Sequence, residues 1–146
     1  MLKTRFEVVI ARAPIDVYRV LSNHENDVTW QSIVTAVRKL STGPVRAGSR
    51  FVHTLHLLGA RMDAEVEVAE TRPGELHVFS VSNGSLAFET RVALETSAAG
   101  TRVRTAVDAH LSGAARLAAI SLSHLRRREI DGDLRRLKHL MEARAL

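Results

Sequence analysis

The stretch AARLAAISLSHLRRREIDGDLRRLKHLMEA, residues 114–143, has no proline and is rich in Ala, Leu and Arg. That composition predicts one uninterrupted helix of about 45 Å at ~1.5 Å rise per residue. Laid on a helix, Ala115, Ala119, Leu122, Arg126, Ile130, Leu134, Leu137 and Met141 follow steps of three and four and form a single stripe. Arg126 alone interrupts it. Arg127, Arg128, Arg135, Arg136 and Lys138 fall off the stripe and read as solvated charges, partly matched by Glu129, Asp131 and Glu142 at neighbouring turns. Two placements fit Arg126. A bend near Gly132 would turn Ala118, Ser121 and Leu125 inward and release Arg126 to water. A continuous stripe would face it inward, where its guanidinium suits a carboxylate or enolate on an apolar ligand.

A helix this long with one apolar face needs a surface to cover, and the residues before it supply one. TRFEVVIA at 4–11 alternates Phe6, Val8 and Ile10 against Arg5, Glu7 and Val9, as a strand does. Pro14 then suits the first turn of a short helix carrying Val17, Val20 and Leu21, with Asn23 ending it. HENDVTWQS at 24–32 is too polar for a core element and reads as a helical turn and loop presenting Val28 and Trp30 inward. Strands are expected over 33–40, 50–58, 62–70, 75–82, 85–95 and 101–111. They are punctuated by Gly43-Pro44, Gly59, Pro73-Gly74, Asn83-Gly84 and Gly100. The connections are short enough for successive antiparallel hairpins. An antiparallel sheet with one apolar face must cover that face, and the C-terminal helix is the only element long enough to do so.

Size and composition bound the possibilities. A chain of 146 residues is expected to be a single domain, 1–146, burying about two thirds of the surface its unfolded form exposes. With 45% hydrophobic and 25% charged residues it has the composition of a folded globular protein. The absence of cysteine excludes disulfides, thiolate metal sites and thiol nucleophiles. No stretch approaches the ~18 apolar residues needed to cross a bilayer, and the N-terminus lacks a signal-peptide pattern, so a cytoplasmic protein without membrane insertion is expected. The net charge of +5 sits almost wholly in the last segment: eight Lys/Arg against four Asp/Glu from Ala114 onward, thirteen against twelve before it. Only six aromatic residues are present and acidic residues break the basic run, which argues against a nucleic-acid partner.

The order of elements, together with three stretches, resembles a known family. APIDVYRVLSNHENDVTWQ (13–31) is similar to an opening of Ala-Pro, apolar helix, Asp/Asn-containing turn and Trp. GPVRAGSRF (43–51) is similar to a Gly-rich approach to the third strand, and AAGTRVRTAVDAHL (98–111) to a Gly-Thr-Arg hairpin into the last strand. These are features of the START-like superfamily, in particular its polyketide cyclase/dehydrase and lipid-transport group. The resemblance implies an α+β helix-grip fold: a curved antiparallel sheet of about six to seven strands around a long C-terminal helix, with two short helices after the first strand. It also implies a deep cavity for hydrophobic small molecules, without implying one reaction.

Side-chain alternation says which residues would line such a cavity. Leu86, Phe88, Thr90, Val92 and Leu94 share a face, as do Val103, Thr105, Val107, Ala109 and Leu111, and Met62, Ala64, Val66 and Val68. Asp63, Glu65, Glu67, Glu89, Arg91 and Glu95 then face out, with Arg102, Arg104, Asp108 and His110 outward to pair with Glu89 and its neighbours. In 50–58, Phe51, His53, Leu55 and Leu57 form the inner set, making His53 the one ionisable group expected inside. It can satisfy itself on a neighbour or hydrogen-bond a ligand. Trp30 is either packing beneath the loop or a ligand platform. In LHVFSVS (76–82) two registers fit, with Leu76, Val78, Ser80 and Ser82 inward or with His77, Phe79 and Val81 inward.

Other signatures fail. GPVRAGSR (43–50) lacks the Lys-Ser/Thr and the following helix of a phosphate loop. No Gly-x-Ser-x-Gly elbow exists. His53 and His56 point to opposite faces of a strand, and Asp108 with His110 offers only two exposed ligands, so no metal site and no cofactor are expected. The reading is therefore a monomeric or homodimeric module binding a hydrophobic small molecule, lipid or polyketide-like. Trp30, His53, Phe88, Thr90, Thr105, Leu122 and Arg126 are the candidate ligand-binding residues. The alternative is a polyketide aromatase/cyclase or dehydratase, which needs an acid–base group; scarcity of polar inner residues favours binding.

Overall fold

The computed structural model describes the backbone of residues 2–57, 59–84, 86–111 and 114–146. It describes their side chains except those of Leu2, Leu57, Leu86 and residues 111–126. The strands are β1 (Leu2–Ile10), β2 (Val34–Lys39), β3 (Arg50–Leu57), β4 (Ala60–Arg72), β5 (Leu76–Asn83), β6 (Leu86–Ser97) and β7 (Gly100–Leu111). Helices α1 (Pro14–Ser22) and α2 (Asp27–Trp30) separate β1 from β2, with a 3-10 turn at His24–Asn26 between them, and α3 (Ala114–Glu142) follows β7. The strands form one antiparallel sheet in the order β1-β7-β6-β5-β4-β3-β2. Hairpins therefore join every neighbour from β2 to β7, and β1 closes onto β7 from Leu2↔Ala109 to Ile10↔Thr101. This is the α+β helix-grip arrangement the sequence predicts, with seven strands.

Turn chemistry holds the meander in register. Between β4 and β5 the Glu75 N–H donates to the Arg72 carbonyl at 3.0 Å, with Pro73 at the first central position and Gly74 at φ +74° at the second. That is the pairing a type II turn demands. At the β6–β7 hairpin, Gly100 has φ +131°, and a Cβ there would collide with the backbone of Ile10 and Ala11. Glycine lets the hairpin lie against the end of β1.

Two bulges change which residues face inward. In β4 the pairing runs Val68↔Phe79, Glu70↔Val78, Thr71↔His77, so one extra residue sits at Ala69. Strand residues alternate faces, and one inserted residue inverts the alternation beyond it. Val68 and Thr71 are thereby both on the inner face. In β2 the same device at Thr35 places Val34 and Val37 together, opposite Leu55 and His53.

The register of β5 is resolved. His77, Phe79 and Val81 stand opposite Val92, Thr90 and Phe88 of β6, the set on the inner face. Leu76 and Val78 are nonetheless buried as well.

The main core gathers Phe6, Ile10, Val17, Tyr18, Leu21, Trp30, Val92, Leu94 and Val103 against Leu134, Leu137 and Met141 of α3. The predicted stripe holds over the described part of α3: Leu134, Leu137 and Met141 are buried and Ile130 is half-buried, while Arg127, Arg128, Arg135 and Arg136 are exposed. Asp133, beside the stripe, is buried too, with its carboxylate accepting the Ser32 N–H at 3.1 Å. Arg126 and Leu122 lie outside the described side chains, so both placements of Arg126 stay open. The end of α3 is clamped to the end of β1. Arg12 donates to the carbonyls of Met141 (2.9 Å) and Leu146 (3.2 Å), Lys138 to that of Val9 (2.7 Å), and the Ala11 N–H donates to Glu142 (2.8 Å). A cation on the last carbonyls of a helix also complements its dipole.

On the outer face Arg104 pairs with Glu95 (2.9 Å), on the same face of β6 as Glu89, as expected. Arg102 (3.2 Å) and Arg104 (3.7 Å) also reach Glu7, because β1 lies beside this part of β7.

Candidate functional site

The polar segment 24–32 is where sequence and structure part most sharply. Val28, expected inward, is 45% exposed, whereas His24 and Asp27 are each 1% exposed and Trp30 is buried. The reason is helical phase. His24 opens the 3-10 turn and Asp27 begins α2, three residues on, so the two share one face. Val28 is one step round, toward solvent. Polar composition misleads here because these groups satisfy each other: His24 Nδ1 and Asp27 Oδ2 are 2.8 Å apart.

Three further elements complete the cluster. His53, from the centre of β3, places Nε2 2.9 Å from the same Asp27 oxygen. His77 of β5 places Nε2 3.0 Å from His24 Nε2, and its Nδ1 lies 3.0 Å from Thr71 Oγ1 on the bulged β4. Thr71 in turn shares a short hydrogen bond with the Tyr18 hydroxyl of α1. The result is a continuous chain of side chains, His53–Asp27–His24–His77–Thr71–Tyr18. His53 is thus inside as expected, but it is not the one ionisable group there.

One protonation pattern satisfies every member of the chain. With Asp27 ionised, His24 Nδ1–H and His53 Nε2–H donate to it, His77 Nε2–H donates to His24 Nε2, Thr71 donates to His77 Nδ1, and Tyr18 donates to Thr71. Burial alone would raise the Asp27 pKa, but the charge and hydrogen bonds of His24, with those of His53, outweigh it and hold the carboxyl below its usual value. Burial, and then the charge of His24, push His77 down to about 3, against the pull of Asp27. His77 is a neutral imidazole able to donate at one nitrogen and accept at the other.

One atom is left over. Asp27 Oδ1 is buried with no hydrogen-bond partner among the described residues, as is Trp30 Nε1. The ligand-capable atoms of His24, Asp27 and His53 all lie within 4.8 Å of one another. Neighbours on one strand offer no such set; these three residues come from a 3-10 turn, a helix and a strand.

Aromatic rings wall the cluster. His24 packs edge-on to Phe79 (4.5 Å between centroids) and Phe51 (5.1 Å), and Phe79 also lies 5.4 Å from His77. Phe79 leads to the inner face of the sheet. There Val103 and Leu94 are buried in the main core with Val8, Phe79 and Val107 half-buried against it, and Val81, Phe88, Thr90 and Ala109 are half-buried as well. Of the predicted ligand-binding residues, Phe88 and Thr90 belong to this floor. Thr105 lies in the adjoining buried row between Val92 and Phe6, Trp30 is in the core, and His53 is in the polar chain. Leu122 and Arg126 fall outside the described side chains. Sequence reasoning missed His24, Asp27 and Thr71, and left His77 inward in one of two open registers. The His24/Asp27 spacing of three was the available signal for the first two; nothing local marks the bulge that brings in Thr71.

Comparison with known proteins agrees with this architecture. The family model for polyketide cyclase/dehydrase and lipid transport matches residues 1–142. No curated protein matches. Among solved structures, TTHA0849 from Thermus thermophilus is 19% identical with a TM-score of 0.73, covering 98% of this chain and 96% of that one. The di-domain ARO/CYC StfQ from the steffimycin biosynthetic pathway is 16% identical with a TM-score of 0.79, covering 98% of this chain and 51% of that one. Ara h 8.0201 is 12% identical with a TM-score of 0.65, covering 93% and 97%. At these identities the likeness is one of fold. A seven-stranded sheet gripping a C-terminal helix, matched over nearly its whole length by the family model, places the chain in the polyketide cyclase/dehydrase and lipid-transport family.

Proposed function

We propose that residues 1–146 act as one unit that binds a hydrophobic small molecule, lipid or polyketide-like, between the inner face of the sheet and α3. The half-buried apolar floor of Phe79, Val81, Phe88 and Val107 carries this reading. Side chains on the concave face of a sheet otherwise pack fully against the gripping helix, and covering such area with a ligand contributes about 25 cal/mol per Å². Trp30, His53, Phe88, Thr90, Thr105, Leu122 and Arg126 are the proposed ligand-binding residues, extended by Phe79. The proposed setting is the cytoplasm, with the protein a monomer or homodimer and no nucleic acid as partner.

Native mass spectrometry with fatty acids and with aromatic polyketides tests the binding. The expected result is a one-to-one adduct with one of these classes, lost in Phe88→Asp while circular dichroism shows the sheet retained. Absence of an adduct with both classes in the unaltered protein overturns it.

A second reading, aromatase/cyclase or dehydratase, draws support from the polar chain meeting the floor at Phe79. Cyclisation of a poly-β-ketone requires a proton to leave carbon and another to reach the oxygen that departs as water, and linked histidines can hold and move both. The discriminating measurement is incubation with a linear poly-β-ketone thioester. Loss of water by mass at a rate above the protein-free control supports catalysis, and a bound but unchanged substrate supports carriage.

A further inference from the structure

We propose that His24, Asp27 and His53 form a site for a divalent transition-metal cation of the zinc class, held through His24 Nδ1, the Asp27 carboxylate and His53 Nε2. The inference stands apart from the nature of any ligand on the apolar floor.

Geometry is the first argument. Ligand atoms about 2.05 Å from a common metal lie about 2.9 Å apart at a right angle and about 3.3 Å at the tetrahedral angle. The two oxygen–nitrogen separations are 2.8 and 2.9 Å, and all three groups fall within 4.8 Å, so the carboxylate already spans both rings and bringing the two ring nitrogens together would make all three ligands of one ion. Two imidazoles and one carboxylate select zinc, cobalt, nickel or ferrous ions over magnesium and calcium, which prefer oxygen throughout.

The unused oxygen is the second. Asp27 is buried, and its Oδ1 has no donor among the described residues. Leaving a buried carboxylate oxygen unpaired is costly, and a cation would take it as a ligand.

The remaining nitrogen of His24 also has a partner in place. A metal-bound histidine donates its other ring N–H to a fixed acceptor. His24 bound through Nδ1 would donate Nε2–H to His77 Nε2, His77 Nδ1–H would donate to Thr71 Oγ1, and Thr71 would donate to the Tyr18 oxygen. From His24 to Thr71 each member can exchange donor and acceptor roles, and the Tyr18 hydroxyl then accepts from Thr71 and turns its own hydrogen away from it.

Metal-stripped protein equilibrated with Co2+ tests the site, since cobalt reports its coordination in the visible spectrum. One Co2+ per chain is expected, with d–d bands that bleach when Zn2+ replaces it. His77→Asn should weaken affinity by about 10–100-fold, and His53→Gln and Asp27→Asn by more. His56→Gln, an exposed histidine on the same strand, should leave binding unchanged. If either ligand variant fails to fold, the Tm of the unaltered protein decides: a specific site raises it with Co2+ concentration by mass action. A Tm indifferent to millimolar Co2+, or stoichiometric binding that persists in both ligand variants, overturns the proposal and leaves the cluster a hydrogen-bonded triad.

Discussion

Thr71 Oγ1 reaches His77 Nδ1 at 3.0 Å only because β4 carries one extra residue, Ala69, between the position facing Phe79 and the position facing His77. Without the bulge Thr71 would point to the outer face. The contact links α1, through Tyr18, to the buried histidines. Removing the Thr71 hydroxyl with Thr71→Val strips an acceptor from Tyr18 and a donor from His77. The expected loss is about 1–3 kcal/mol in urea unfolding. Tyr18→Phe should cost a similar amount, and the double variant clearly less than the sum, because both changes break one network. Strict additivity would show that the two hydroxyls act separately.

His24 sits at the hub, and His24→Phe tests its polarity apart from its packing, since the new ring can still meet Phe51 and Phe79. The change leaves Asp27 with one donor in place of two. Removing a hydrogen bond from a buried carboxylate in this way costs about 1–3 kcal/mol. His56→Gln, on the exposed face of β3, should stay within about 0.5 kcal/mol of the parent. Equal effects of the two in metal-free buffer would remove His24 from its place at the hub.

The core and the floor should separate stability from binding. Leu137 of α3 is fully buried, and Leu137→Ala is expected to cost about 2–5 kcal/mol through lost burial and the cavity left behind. Phe88→Ala removes a half-buried ring, so its effect on stability should be smaller while its effect on uptake of the hydrophobic ligand is larger. Chemical denaturation and native mass spectrometry on both variants make the comparison. A Phe88→Ala protein that is badly destabilised yet binds normally would contradict it.

Acid should loosen the clamp between α3 and β1. The hydrogen bond from Lys138, followed by that from the Ala11 N–H, holds the Glu142 carboxyl below its ordinary value of 4.5. A carboxyl whose folded pKa is depressed contributes stability that is present above the unfolded pKa and is lost as pH falls through the folded one. Below about pH 4.5 that contribution therefore declines. Glu142→Gln, which cannot ionise, should show a smaller drop in Tm between neutral and acid pH than the parent. The difference should shrink with added salt, because the pair is at the surface. Parallel pH profiles for the two proteins would exclude a role for this carboxylate.

Much of the architecture is legible in the residues. Strand alternation in 50–58, 85–95 and 101–111, with glycines at 59, 74, 84 and 100, places all seven strands once 4–11 is counted, and the helix from Ala114 ends within a residue of its observed end. These signals are local: each strand needs a buried face of its own and each turn its own backbone geometry. The register of 76–82 was not legible, because Leu76 and Val78 are buried along with His77, and alternation cannot choose between two apolar faces.

The candidate site was the least legible part. His53 could be placed inside from its neighbours Phe51 and Leu55, but His24 and Asp27 sit in a segment whose polarity points to solvent. A polar side chain is buried when a partner satisfies it, and the partners of these two arrive from β3 and β5, 26 and 53 residues away along the chain from Asp27 and His24 respectively. Hydrophobic periodicity is written residue by residue, so the sequence alone determined that a meander would grip a terminal helix. Which polar groups share the interior depends on the packing of distant elements and on a single inserted residue at Ala69, and the tertiary structure alone decided that.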